Sequence, residues 1–168
     1  MRRKAYIFID GSNFESTQFK IQQRIDIIKF IQYFKEREGF DVYQTIYFMA
    51  YKKEQEETKR KFIDFLVRSG VKVEEKLKKQ LNNGLYKGDT DVDLAVEALV
   101  TKDNYDVAIL CTGDGDFKSL VKALKDFGKE VICVSTEGVI ALDLLNACDR
   151  YIDLKDILPL VKMEQKLS

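Results

Sequence analysis

None of the 168 residues of this chain is a histidine. That absence excludes Ser-His-Asp and Cys-His catalysis, imidazole acid–base chemistry and histidine-ligated zinc. An enzyme built on this sequence has to work with carboxylates, lysines, hydroxyls or a hard cation. Net charge is missing too: Lys+Arg and Asp+Glu stand at 28 each, so attraction for a polyanion has to come from a local patch. No apolar run approaches the roughly 20 residues of a membrane span. Met1-Arg2-Arg3-Lys4 leads into a strand-length run, not a signal-peptide core. The lone proline is Pro159 and there is no low-complexity tract. A single domain over 1–168 is expected, with its core at about 5–155 and a short helical or frayed tail. Three cysteines without paired spacing indicate reduced thiols in a cytoplasmic protein, with Cys111 and Cys133 packing inside strands.

What is present is an alternation of strands and helices. Apolar residues make up 45% and charged residues 33%, a globular composition. Apolar or β-branched runs predict strands at 5–9, 42–51, 71–74, 107–111 and 131–134, with a short edge strand at Tyr151-Ile152-Asp153. Between them lie helical faces: Ile25, Ile27, Ile28, Phe30, Ile31 and Phe34; then Phe62, Phe65 and Leu66; then Phe117, Leu120, Val121 and Leu124; and a helix over 139–148. A helix over 90–102 is expected to bury Val92, Ala95, Val96, Leu99 and Val100. The pattern predicts an α/β fold, a mainly parallel sheet with helices on both faces. Residues 76–88 break the rhythm. They carry Lys76, Lys78, Lys79 and Lys87, no acid, and the turn signal Asn82-Asn83-Gly84, which reads as an extended or hairpin-like basic segment.

The informative residues are acids at element ends. Asp10 closes the first strand, Asp89, Asp91 and Asp93 open the 90–102 helix, and Asp114 and Asp116 follow the fourth strand. Ligands of open α/β sheets sit outside the carboxyl ends of the strands, and neighbouring first and fourth strands would bring Asp10 to Asp114. Acids so placed repel one another unless a proton or a cation intervenes. Each group also has an ordinary alternative: Asp89-Thr90-Asp91 as a helix cap with first-turn acids, and Gly113-Asp114-Gly115-Asp116 as a tight turn. The helix start at Thr90 precedes strand four, which on this reading sets its first turn at the far end of its crossover unless the preceding loop is long. Other motifs fail on detail. An EF-hand needs glycine and glutamate where Leu94 and Val100 stand, a dinucleotide fingerprint needs glycine at Lys118, and a haloacid-dehalogenase phosphatase needs aspartate at Ser12.

Three ordered motifs carry a resemblance: Ile7-Phe8-Ile9-Asp10-Gly11-Ser12-Asn13, then Lys87-Gly88-Asp89-Thr90-Asp91-Val92-Asp93-Leu94-Ala95, then Thr112-Gly113-Asp114-Gly115-Asp116-Phe117. With the closing Leu144-Leu145-Asn146-Ala147-Cys148-Asp149-Arg150-Tyr151-Ile152-Asp153-Leu154, they resemble the NYN domain, a branch of the PIN-like nucleases, and within it the LabA-like group. The resemblance implies a Rossmann-like, PIN-like three-layer sandwich in the strand order 3-2-1-4-5. It also implies acids holding Mg²⁺ or Mn²⁺, and ribonuclease activity. Carried over by position, Asp10, Asp91, Asp114 and Asp116 are the metal ligands, with Asn13 joining them in catalysis and Ser12, Thr112 and Asp93 supporting them.

Oxygen-only ligands suit Mg²⁺ or Mn²⁺, one ion acidifying water and a second stabilising the leaving oxygen. Asp114 is expected as a direct ligand, Asp116 through water or as a helix cap. RNA is the expected partner, brought past the acids by Lys76, Lys78, Lys79 and Lys87 with Tyr86 for stacking. The lysines at 52, 53, 59 and 61 and Arg60 alternate with Glu54, Glu56 and Glu57 and read as ordinary helix surface. The rival reading is a non-catalytic RNA-binding or regulatory NYN module acting through a homodimer or another partner. A phosphatase or DNA-directed nuclease using the same site is a third.

Overall fold

The computed structural model describes residues 1–165. β1 (Lys4–Asp10) runs into α1 (Gly11–Ile21) and α2 (Ile27–Glu36), followed by β2 (Asp41–Tyr51), α3 (Glu56–Arg68) and β3 (Lys72–Leu77). A small hairpin, β4 (Lys79–Gln80) and β5 (Tyr86–Lys87), leads to α4 (Asp91–Val100). Then come β6 (Val107–Cys111), α5 (Lys118–Asp126), β7 (Glu130–Ser135), α6 (Leu142–Ala147), β8 (Arg150–Asp153) and α7 (Leu154–Val161).

Six strands form one parallel sheet in the order β3-β2-β1-β6-β7-β8. This is the expected 3-2-1-4-5 arrangement with the short edge strand added. The hairpin expected within 76–88 spans 79–87, with Lys79 opposite Lys87 and Gln80 opposite Tyr86, while Lys76 extends β3. No described helix is long and apolar enough to cross a membrane.

Strand side chains alternate between faces, and the two cores follow that period. Ile7, Ile9, Met49, Ile109, Ile132 and Val134 pack under α1, α2, α3 and α7. Phe8, Phe48, Leu110, Val131 and Cys133 face α4, α5 and α6. All three cysteines are free, Cys111 and Cys133 being buried.

Two expectations are corrected. The α1 helix was not foreseen. Asp10 caps it by accepting from the Asn13 N–H at 3.4 Å, and Phe14 and Gln18 supply its buried side. Gln18 lies in the core because its amide is satisfied: Oε1 accepts from Ile25 N–H at 2.9 Å and Nε2 donates to the Phe14 carbonyl. The buried side of α4 is Leu94 and Ala98, whereas Val92, Val96 and Val100 are 70%, 53% and 75% exposed. The helix is apolar almost all round, so periodicity could not choose which side meets the sheet. Of the two forms expected for the tail, its described part takes the helical one. α7 buries Leu154, Ile157 and Val161, and Lys162 bridges Ile25. The rest of the expected tail, 166–168, lies outside the described residues.

Candidate metal centre

β1 and β6 are adjacent and parallel, so Asp10 and Thr112 leave the sheet side by side. Both exits need glycine. A Cβ on Gly11 would overlap the Phe48 carbonyl oxygen, and one on Gly113 would stand 2.7 Å from the Val139 carbonyl oxygen and 2.8 Å from Ile140 Cα. Those neighbours are backbone and cannot step aside.

The two exits are laced together by hydrogen bonds. Thr112 Oγ1 donates to Asp10 Oδ2 at 2.9 Å, and the Gly113 N–H donates to Asn13 Oδ1 at 2.7 Å. The Asp114 N–H donates to Thr112 Oγ1 at 3.2 Å, and Asp114 Oδ1 accepts from the Asp116 N–H at 2.9 Å. Asp114 therefore caps the following 3-10 turn at Gly115–Phe117, the capping part that the sequence offered to Asp116.

The first turn of α4 stands at the same edge. The far end of the crossover, expected for a short preceding loop, is not where it lies. A helix joining β3 to parallel β6 starts where β3 ends, at the carboxyl edge, and runs back. The Asp91 N–H donates to Asp89 Oδ1 at 3.0 Å, so Asp89, one residue ahead of the N-cap Thr90, ties down the start of α4, while an Asp91 oxygen lies within 4.8 Å of one from Asp114. Asp93 departs from expectation. It pairs with Lys76 at 3.0 Å, and neither residue lines the cavity at the strand ends. Successive acids at 91 and 93 point apart because they lie about 200° around the helix.

Asp91, Asp114 and Asp116 each offer one carboxylate oxygen, and these atoms lie within 4.8 Å of one another. In an octahedral Mg²⁺ shell at roughly 2.1 Å per bond, neighbouring ligands stand about 3.0 Å apart and opposite ones about 4.2 Å, so these side chains would have to draw in around a bound ion. Asp10 is only 5% exposed and lines the same cavity of about 550 Å³, as do Ser12 and Asn13. The cavity contains no histidine or cysteine. Its oxygen-only donor set fits a hard divalent cation.

Electrostatics agree with that fit. Burial pushes the Asp91 carboxyl up to about 7, reinforced by repulsion from Asp10, Asp89 and Asp114 and by a hydrogen bond to Asp114. Burial also raises Asp10, opposed by its bonds from Thr112 and Asn13 and aided by Asp114 and Asp89. Glu15 also lines the cavity but is paired with Arg24 at 2.7 Å. Among the described residues no ion pair neutralises Asp10, Asp91, Asp114 or Asp116.

Of the basic residues singled out for nucleic acid, Lys78 lines the cavity. Tyr86 lies under the Lys52 ammonium, 4.3 Å from the ring centroid, and Lys79 and Lys87 are exposed on the hairpin. Lys59 also lines the cavity, although it read as plain helix surface. The available signal was positional: a helix following a parallel strand begins at the carboxyl edge, so the first turns of α3 overlook the site. Neither Lys59 nor Lys78 has an ion-pair partner among the described residues.

The NYN domain family model matches residues 4–157. The chain belongs to the NYN domain family. Low amplitude and bright protein LabA of Synechococcus elongatus is 31% identical over 166 residues, covering 95% of this chain and 88% of that protein. The NYN chain is thus LabA-like, a nuclease-type PIN-like domain. A Vibrio parahaemolyticus protein of unknown function, VPA0982, has the same fold, with a TM-score of 0.79 at 22% identity over 96% of this chain and 97% of that one.

Proposed function

We propose that this NYN protein is a metal-dependent endoribonuclease that uses Mg²⁺ or Mn²⁺. The observation that carries the reading is the convergence of Asp91, Asp114 and Asp116 within 4.8 Å beside buried Asp10, none of the four being in an ion pair among the described residues. A bound divalent ion would supply charge neutralisation, water acidification at neutral pH and stabilisation of a departing oxygen. Asp91, Asp114 and Asp116 would hold it, with Asp10 as a further ligand whose carboxylate is aimed by the Thr112 hydroxyl. Asn13 uses Oδ1 on the Gly113 N–H, which leaves its NH₂ to orient a phosphate oxygen or the attacking water. Ser12 contributes a hydroxyl at the cavity wall. Lys59 and Lys78 draw the phosphates past the acids, and the exposed Lys79 and Lys87 extend that path along the hairpin.

The test is cleavage of labelled RNA by pure protein with Mn²⁺. EDTA-sensitive cleavage that disappears in Asp10→Asn and Asp114→Asn supports the reading. Equal residual cleavage in those variants identifies a contaminant. Binding without cleavage across several RNAs and metals assigns the protein to the non-catalytic RNA-binding class.

A further inference from the structure

A second concavity opens from the acidic cluster. Between α4 and α5 runs a groove of about 510 Å³ whose floor is Ala95, Leu99, Leu120 and Ala123, with Val92 on its edge. Asp89, Asp91 and Asp116 line both this groove and the metal-site cavity. The two spaces therefore meet at the carboxylates. We propose that the groove is a nucleobase subsite, holding the base of the nucleotide next to the scissile phosphate. The proposal deepens the nuclease reading and rests on it for the placement of that phosphate.

Size and charge argue for this occupant. From Val92 to Leu99 the helix advances about 10 Å at ~1.5 Å per residue, room for one or two bases stacked about 3.4 Å apart. The volume falls in the range of small-ligand sites, roughly 300–1,000 Å³. A partner surface without cations of its own would cover Asp89, Asp91 and Asp116 with nothing to offset their charge. A nucleotide avoids that cost, because its phosphate arrives with the divalent ion those acids hold while its flat ring covers the aliphatic floor. An exposed Val92 beside a cluster of carboxylates then has a purpose as the lip of an apolar slot. Phe117 and Ser119 complete the lining, one aromatic ring and one hydroxyl in an otherwise aliphatic slot that takes a base mainly by contact area.

Filling the slot is the test. Ala95→Leu and Ala123→Leu are compared with wild type and with Val96→Leu, whose position on α4 does not line the groove. Each is titrated with fluorescein-labelled single-stranded RNA in Mn²⁺, and with the same RNA carrying an abasic residue at successive positions. Filled variants should bind intact RNA about 5- to 150-fold more weakly, the usual worth of one base stacked on an aromatic side chain. Their melting temperature and Mn²⁺ affinity by electron paramagnetic resonance should match Val96→Leu. One abasic position should weaken wild type and leave the filled variants unaffected. Filled variants that bind intact RNA as tightly as wild type overturn the subsite, even if wild type cleaves RNA. Wild type that binds without cleaving, yet loses binding when the groove is filled, overturns the nuclease reading and keeps the subsite. Wild type that neither binds nor cleaves overturns both.

Discussion

The two ends of the sheet treat carboxylates in opposite ways. At the amino edge Glu38 meets Arg150 through two hydrogen bonds of 3.0 and 3.1 Å, and Arg3 pairs with Glu130. The Arg150 guanidinium beside Glu38 holds its carboxyl below the usual glutamate range. At the carboxyl edge Asp10, Asp91, Asp114 and Asp116 face one another, and burial raises Asp10 and Asp91. The same residue chemistry is self-sufficient at one end and incomplete at the other. Paired acids hold the fold together. Unpaired acids cost stability until something cationic arrives, which is the physical signature of a site.

The largest effect should come from neutralising the incomplete end. Asp114→Asn is expected to reduce Mn²⁺-dependent RNA cleavage by more than the roughly 10–100-fold typical of groups that only support a ligand. Glu38→Gln in the same assay should cleave like wild type. Equal loss in both variants would erase the distinction between the two ends.

Stability should reverse that order. Arg150→Met strands Glu38 half-buried and is expected to cost about 1 kcal/mol in urea unfolding, while Asp91→Asn should raise the metal-free melting temperature at pH 7. A lower melting temperature for Asp91→Asn would mean that its carboxylate is already compensated.

The pH dependence separates the ends further. Asp91 titrates near 7 when folded and near 3.9 when unfolded, so between those values the folded state holds the extra proton. Metal-free stability should therefore fall as pH rises from about 4 to about 7. Glu38 works in the other direction: its folded value is lowered, so its contribution is present above the unfolded value and is lost as pH falls through the folded one. Melts across this range should slope downward toward neutrality. Asp91→Asn should flatten that slope, leaving the part due to Asp10, and saturating Mn²⁺ should flatten it as well.

The smallest effect concerns the cavity cations. Lys59→Gln should weaken RNA binding modestly and reduce the salt slope, log K against log [salt], by just under one unit. An unchanged slope would return Lys59 to the ordinary surface.

Much of this was legible in the sequence because the sheet strands are short apolar runs bounded by glycine and acids. Val107-Ala108-Ile109-Leu110-Cys111 followed by Thr112-Gly113-Asp114 can hardly be read otherwise, whereas the strand order came only from the resemblance to the NYN domain. What escaped was orientation. The side of α4 that meets the sheet was hidden because Val92, Leu94, Ala95, Val96, Ala98, Leu99 and Val100 cover nearly the whole circumference. The choice among Asp89, Asp91 and Asp93 depends on which one ties down the helix start and which one finds Lys76, and spacing alone contains neither fact. Helix α1 was missed because its buried Thr17 and Gln18 are polar, so its inward face lacks the apolar signal.

The lacing of Asp10, Thr112, Asn13 and Gly113 has a consequence for assembly. These bonds join residues 102 and 100 positions apart, and Asp91 arrives by a third route through the hairpin and α4. No local segment can present the cluster by itself. The donor set forms only once β1 and β6 have paired, a long loop closure that folding reaches slowly. A divalent ion should thus bind the finished sheet and scarcely recognise the unfolded chain, so added Mn²⁺ raises the free energy of global unfolding and leaves the folding rate nearly untouched.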